Sequence, residues 1–261
     1  MEKTIFITGA GSGLGKGSAI GLAKKGHHVI ATTETTSQKT ALMRETRDLG
    51  INMEVFKLDI TNPIDLREID KYDFDIFVAN AAINEGGPLA EIPMERFRAI
   101  FEVNVFATLE TAQIAARKLV NKGMGKIVFL SSMAGIMTTP YAGPYAATKH
   151  AIEAMALTLK HELKEFGIQV ATINPGSFDT GFNDRAVEEK WKWFNEEEHF
   201  TRKEDMKAME EGLKNQMDPE DMIEKMIEII PAEHHKFRTV YPEQTEKQMK
   251  EAEQKKWGME V

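Results

Sequence analysis

A chain of 261 residues, 42% hydrophobic and 28% charged, has room for one large domain or two small ones. Its formal net charge of −8, with no Lys/Arg-rich block, argues against a nucleic-acid surface, and the absence of cysteine excludes disulfides, thiolate metal ligands and a catalytic thiol. No apolar run approaches a membrane span, and Met1-Glu2-Lys3 enters a strand pattern with no room for a signal peptide, so a soluble, cytoplasmic protein is expected.

Residues 4–8 read as an apolar strand, followed directly by Gly9-Ala10-Gly11-Ser12-Gly13-Leu14-Gly15 and a helical pattern that stops at Gly26. Strand, glycine loop and helix aim backbone N–H groups at a phosphate. The phosphate loop of nucleotide hydrolases would need glycine at 10 and a hydroxyl at 17, where the chain has Ala10 and Gly17. Gly-x-Gly-x-x-Gly fails as well, because Leu14 and Lys16 fall where its last glycine should be. Gly9, Gly13 and Gly15 instead fit Thr-Gly-x-x-x-Gly-x-Gly, beginning at Thr8.

Strand and helix patterns then alternate. Residues 29–33 read as a second strand, 37–49 as a helix closed by Gly50, 53–57 and 75–79 as the third and fourth strands. A long helical pattern over 94–120 buries Phe97, Ile100, Phe101 and Val105 on one face and is interrupted near Asn104, a poor interior helix residue. The apolar neighbours Val103 and Val105 argue against a surface position for Asn104. Gly125–Leu130 is a fifth strand with Ser131 and Ser132 at its C-terminal end, and a helix starts near Pro144. Such alternation predicts an α/β domain built on a parallel sheet, whose ligands bind beyond the strand C-termini.

Tyr145 and Lys149 are four apart on that helix and share a face. A phenol is a poor proton donor or acceptor at neutral pH, with an unperturbed pKa of about 10. A nearby ammonium favours the phenolate, so Tyr145 would act as acid to a carbonyl or base to an alcohol, while Ser132 donates to the same oxygen. The plain alternative is a packing tyrosine beside a solvated lysine.

Thr8 to Gly15, followed by Ser132, Tyr145 and Lys149, resembles the classical short-chain dehydrogenase/reductase family, and the gap of 13 from serine to tyrosine selects Ser132 over Ser131. Over roughly residues 1–180 there are further matches. Leu58-Asp59-Ile60 resembles the adenine-contacting segment, and Asn80-Ala81-Ala82 resembles the family's Asn-Ala-Gly. Asn104 falls at the fourth catalytic position, and Asn174-Pro175-Gly176 with Thr180 resembles the Pro-Gly-x-x-x-Thr that flanks the nicotinamide. The resemblance implies a single Rossmann-type domain over 1–261, with a doubly wound parallel sheet. It implies hydride transfer between a nicotinamide cofactor and a small-molecule carbonyl or secondary alcohol, by an Asn104-Ser132-Tyr145-Lys149 set with Asn104 holding a relay water. The cofactor would lie on Thr8, Gly9, Gly13, Leu14, Gly15, Thr33, Asp59, Ile60, Asn80, Ala81, Tyr145, Lys149, Pro175, Gly176 and Thr180. Ala82 departs from the family's glycine and adds one methyl to a turn under the cofactor. A non-catalytic nucleotide sensor on the same fold is the rival reading, against which the intact four-residue set speaks.

NAD(H) is expected over NADP(H). Members using NAD usually place Asp where this chain has Thr33, and members using the phosphorylated cofactor place Arg or Lys where it has Glu34 and Ser12. Lys16 and Lys39 are the cations best placed to reverse that preference. Beyond the sixth strand (168–173), residues 181–217 match the family's substrate lid, with Val187, Trp191 and Phe194, then Met206, Met209 and Leu213, at helical spacing. Met133, Ile136, Met137, Tyr141 and the lid aromatics suggest an apolar substrate pocket. A helix over 219–230, a seventh strand over 236–241 and a polar helix over 243–257 complete the chain. The helices at 94–120 and 144–166 are candidate faces of a homo-oligomer, dimer or tetramer. The seven histidines are scattered and no metal site is expected.

Overall fold

The computed structural model describes residues 1–260, with backbone alone at Ala208, Met209 and Gly212. Among the described residues, seven strands pair in parallel throughout: β1 (Thr4–Ile7), β2 (His28–Thr33), β3 (Glu54–Lys57), β4 (Ile76–Ala79), β5 (Gly125–Leu130), β6 (Ile168–Pro175) and β7 (Arg238–Tyr241). Their order is β3-β2-β1-β4-β5-β6-β7. Successive strand residues face opposite sides of a sheet, and here both sides are covered. Phe6, Phe77, Ile127 and Phe129 build one core with α5 (Thr108–Lys122) and α6 (Gly143–Glu162). Ile5, Ile7, Val78 and Val128 build the other with α1 (Gly13–Lys24), α2 (Thr36–Asp48) and α9 (Pro219–Ile229). The doubly wound architecture expected from the sequence is the one observed.

Between β1 and β4 the winding reverses, so the loops that leave these two strands diverge and open a crevice. The long helical pattern from 94 is divided into α4 (Met94–Phe101), a π-helical turn over Glu102–Ala107 that contains Asn104, and α5. α3 (Pro63–Leu66) is too short to show a period, and its sequence mark is the cap alone. Asn62 Oδ1 accepts from the Ile64 N–H at 2.9 Å, and Pro63 occupies the first position. β6 runs to Pro175, two residues past the apolar run, because its end is paired with β7 through Pro175↔Tyr241.

The segment over 181–217 contains α7 (Phe182–Lys190) and α8 (Lys203–Leu213) and is tied at its base. The Met217 N–H donates to the Ser177 carbonyl (3.0 Å), and the Asp179 N–H donates to the Met217 carbonyl (2.9 Å). The chain closes with α10 (Gln244–Lys256), whose Met249 is buried. No helix of the described residues is long and apolar enough to cross a membrane.

Candidate active site

A cleft of about 690 Å³ occupies the crevice, running from Glu34 and Asp59 past the glycine loop to Tyr145 and Lys149. Its floor is set by a side-chain staple between β1 and β4. The Asn80 Nδ2 donates to the carbonyls of Thr8 (2.8 Å) and Gly9 (3.0 Å), and the Thr8 hydroxyl accepts from the N–H groups of Asn80 (3.0 Å) and Ala81 (3.1 Å). Two glycines have no room for a side chain beside that staple. A Cβ at Gly9, where φ is +67°, would fall 2.6 Å from the Ala81 Cα, and one at Gly15 would fall 2.7 Å from the Gly9 carbonyl oxygen. The first turn of α1 contains no acidic residue, and the Ser12 side chain caps none of its amides. The positive helix end and its free N–H groups thus face the cleft, as an anionic phosphate requires. The loop is therefore shaped for a nucleotide's phosphates, and Asp59, Ile60 and Glu34 line the far end.

At the other end α6 brings Tyr145 and Lys149 to the wall, and β5 delivers Ser131 and Ser132. The Lys149 ammonium donates to the Leu130 carbonyl at 2.8 Å and stands 5.5 Å from the Tyr145 ring centroid. Burial drives Lys149 down to about 8, with Glu153 opposing the drop. Burial also pushes the Tyr145 phenol up, and the Ser132 hydroxyl works against that rise. The expected lowering of Tyr145 by Lys149 is not found: the ammonium is directed at the Leu130 carbonyl, and the group that lowers the half-buried phenol, which has the Phe182 ring edge-on to it at 5.7 Å, is Ser132. Asn104 is buried. Its Oδ1 accepts from the Ile83 N–H (2.9 Å), and its Nδ2 donates to the Ile83 carbonyl (2.9 Å) and the Thr148 hydroxyl (3.2 Å). Asn104 therefore clamps the loop after β4 to α6.

Comparison with known proteins agrees with this geometry. Residues 3–191 match the sequence model of the family described as short chain dehydrogenase. The chain belongs to the short-chain dehydrogenase/reductase family. A diacetyl reductase [(S)-acetoin forming] from Staphylococcus epidermidis is 33% identical over 199 residues, covering 74% of this chain and 77% of its own. A gluconate 5-dehydrogenase from Burkholderia cenocepacia J2315, solved with NADP and tartrate, is 29% identical with a TM-score of 0.67, over 72% of this chain and 76% of that one. A family member from Burkholderia phymatum, solved with NAD, matches 95% of this chain and 92% of its own with a TM-score of 0.79 at 20% identity, a likeness of fold. This short-chain dehydrogenase/reductase is accordingly an oxidoreductase acting on CH–OH/C=O groups, with a nicotinamide cofactor.

Of the residues singled out in the sequence, Gly9, Gly13, Leu14, Gly15, Asp59, Ile60, Asn80, Ala81, Ser132, Tyr145, Lys149, Pro175, Gly176 and Thr180 all line the one cleft, as does Ala82. Thr8, Thr33 and Asn104 do not: each is buried behind the wall and spends its polar atoms on backbone or a neighbour. The Thr33 hydroxyl donates to the Thr35 carbonyl at 3.0 Å, and its neighbour Glu34 is the residue on the cleft. Met133, Ile136, Met137 and Tyr141 are also absent from the cleft wall, whose apolar side chains include Ile83, Val103, Phe178 and Phe182, the last of them against Tyr145. Within 181–217, Trp191 and Phe194 meet each other edge-on at 5.8 Å, so their helical stripe packs the segment on itself; the Met209 side chain lies outside the described residues. Sequence reasoning missed Gln38, which lies over Gly11 on the cleft and is marked only by the Thr35-x-x-Gln38 capping box.

Proposed function

We propose that this oxidoreductase interconverts a carbonyl and a secondary alcohol whose reacting carbon sits among apolar groups, with Tyr145 exchanging the proton. The observation that carries the reading is the convergence of Tyr145, Lys149 and Ser132 on one end of the glycine-floored cleft. The nicotinamide, when bound, supplies or accepts the hydride. Tyr145 gives its phenolic proton to the carbonyl oxygen, or takes one from the alcohol. Ser132 donates a hydrogen bond to that oxygen as charge develops on it. Lys149 binds the nicotinamide ribose through its ammonium. Asn104 keeps α6 and the loop after β4 in register through Thr148 and Ile83. The glycine loop and the α1 N-terminus hold the phosphates, and Asp59 and Ile60 the adenine. Phe182, edge-on to Tyr145, makes 181–217 the lid that excludes water from the reacting atoms. Ile83 and Phe182 favour an apolar substituent on the reacting carbon.

NAD(H) is the favoured cofactor. Glu34 on the cleft would repel a 2′-phosphate, and the two cations within reach are engaged or set back. Lys16 pairs with Glu45 at 3.0 Å, and Lys39 is absent from the cleft wall. Coulomb repulsion screened at an open site gives a preference of about tenfold. Comparing kcat/KM for the two cofactors tests this, and equal or better use of NADPH refutes it. The central test is Tyr145→Phe, which is expected to keep cofactor binding and lose about 10²-fold or more in turnover on a panel of ketones and alcohols. Unchanged turnover would refute the proton-transfer role.

A further inference from the structure

Glu153 lies one helical turn beyond Lys149 on α6 and has no part in the chemistry above. It is buried, yet both of its oxygens are engaged. Oε1 accepts from the Asn174 Nδ2 at 2.7 Å, and Oε2 accepts from the Arg238 guanidinium of β7 at 2.6 and 3.0 Å. The same Asn174 nitrogen donates to the Ser132 carbonyl at 3.0 Å, and the Asn174 Oδ1 accepts from the Thr172 hydroxyl at 3.0 Å. The turn after Ser132 is packed onto this cluster. A Cβ at Gly135 would fall 2.9 Å from the Lys149 carbonyl and 3.1 Å from the Glu153 Cγ. One carboxylate thus links the Ser132 loop, the helix that carries Lys149, and two strands. A peg needed for packing alone would be served by an apolar side chain, without the desolvation that a buried ion pair costs.

We infer that Glu153, fixed by Arg238 and Asn174, is a positioning residue that holds the Ser132 loop against α6 and supplies the negative charge that keeps Lys149 an ammonium. The inference rests on the role proposed for Lys149. Glu153 is the group that opposes the fall of Lys149 to about 8. From the other elements packed there, β5 presents the neutral Leu130 carbonyl and β6 the neutral Asn174, while Asn104 reaches α6 at Thr148. Tyr145 faces Lys149 from its own helix, Arg238 acts through Glu153, and Glu253 on α10 interacts with Arg238 and His150. Removing the Glu153 charge leaves Arg238 unopposed and lets Lys149 lose its proton at lower pH. Removing the Arg238 charge leaves Glu153 uncompensated and has the opposite effect.

The pH dependence of cofactor affinity, followed by nicotinamide fluorescence, reads this without a known substrate. In the wild type the dissociation constant of NADH is expected to rise above about pH 8, as Lys149 loses its proton. Glu153→Gln should move that rise about one pH unit lower, and Arg238→Gln about one pH unit higher. Lys149→Met should remove it. If Lys149→Met keeps the rise, the role of Lys149 is wrong. If Lys149→Met removes it but the Glu153 and Arg238 variants coincide with wild type, or both move downward, Glu153 only packs and the inference is overturned. Should Glu153→Gln fail to fold, Arg238→Gln decides alone, because Arg238 is partly exposed. An upward shift supports the inference, and a coincident or lowered profile overturns it.

Discussion

Lys149 is a buried ammonium, and the fold is less stable for carrying it. Its folded-state value of about 8 lies below the ordinary 10.5, so between those values the unfolded chain binds more protons than the native one. Stability therefore rises with pH from about 8, until the raised Tyr145 phenol begins to act in the opposite sense above its ordinary 10.0. Lys149→Met is expected to raise stability at neutral pH by about 1–3 kcal/mol while weakening cofactor binding. In urea titrations the gap between variant and wild type should shrink as the pH is taken from 8 to 10. A variant no more stable than wild type at neutral pH would contradict this account of the buried charge. That Tyr145, Lys149 and Ser132 meet on one cleft was legible because their spacing on one strand end and one helix face leaves little freedom. The directions of the Thr8 and Thr33 hydroxyls were not. At a strand end a side chain faces either the crevice or a core, and a step of one residue exchanges the two. That is why Glu34, and not Thr33, reaches the cleft.

The segment over 181–217 is held partly by charge. The fully buried Lys190 donates to the Met206 carbonyl (3.2 Å) and pairs with Glu210 (3.1 Å). Arg96 of α4 pairs with Glu85 (3.1 Å) and Glu189 (3.2 Å), tying the segment to the loop after β4. Ion pairs hold it where the sheet has two apolar cores, so it should open locally before the body does. Hydrogen exchange over 182–217 is expected to be fast in the free protein and slow with cofactor and substrate bound, and uniform protection in both states would count against a lid. Arg96→Met should speed exchange in α7 by severing the tie to Glu189. The period of Val187, Trp191 and Phe194 revealed that a face is buried, but a period carries no record of the partner. That partner is the segment itself for Trp191 and Phe194, while Trp193 crosses to Gly87, where a Cβ would fall 2.5 Å from its ring.

At the scale of the whole molecule, both sheet faces are covered, and α4 with the π-helical turn carries a run of neighbouring aromatic side chains that reaches the surface. Phe97 and Phe101 stand 4.8 Å apart, Phe101 and Phe106 6.5 Å apart, and the strip ends in Phe106, 57% exposed, with Met94 53% exposed on the same helical path. The parallel alternation that fixes the sheet could be read from the chain because strand and helix periods differ. The turn that presents Phe106 could be read only as an irregularity at Asn104, since a π-helical turn adds a residue and redirects every side chain after it. Aromatic strips of this kind mark association surfaces, and a second copy of the same path would cover it by two-fold symmetry. The protein is therefore expected to sediment as a homo-oligomer, with this face in its dimer interface. Phe106→Glu places a charge at the most exposed end of the strip, away from the cleft. It should shift the species toward monomer by at least about tenfold in dissociation constant, the effect of roughly 1.4 kcal/mol. Sedimentation velocity over a dilution series measures the shift. An oligomer of unchanged stability in that variant would place the interface elsewhere, leaving the α6 face, with Leu157 exposed, as the surface to test next.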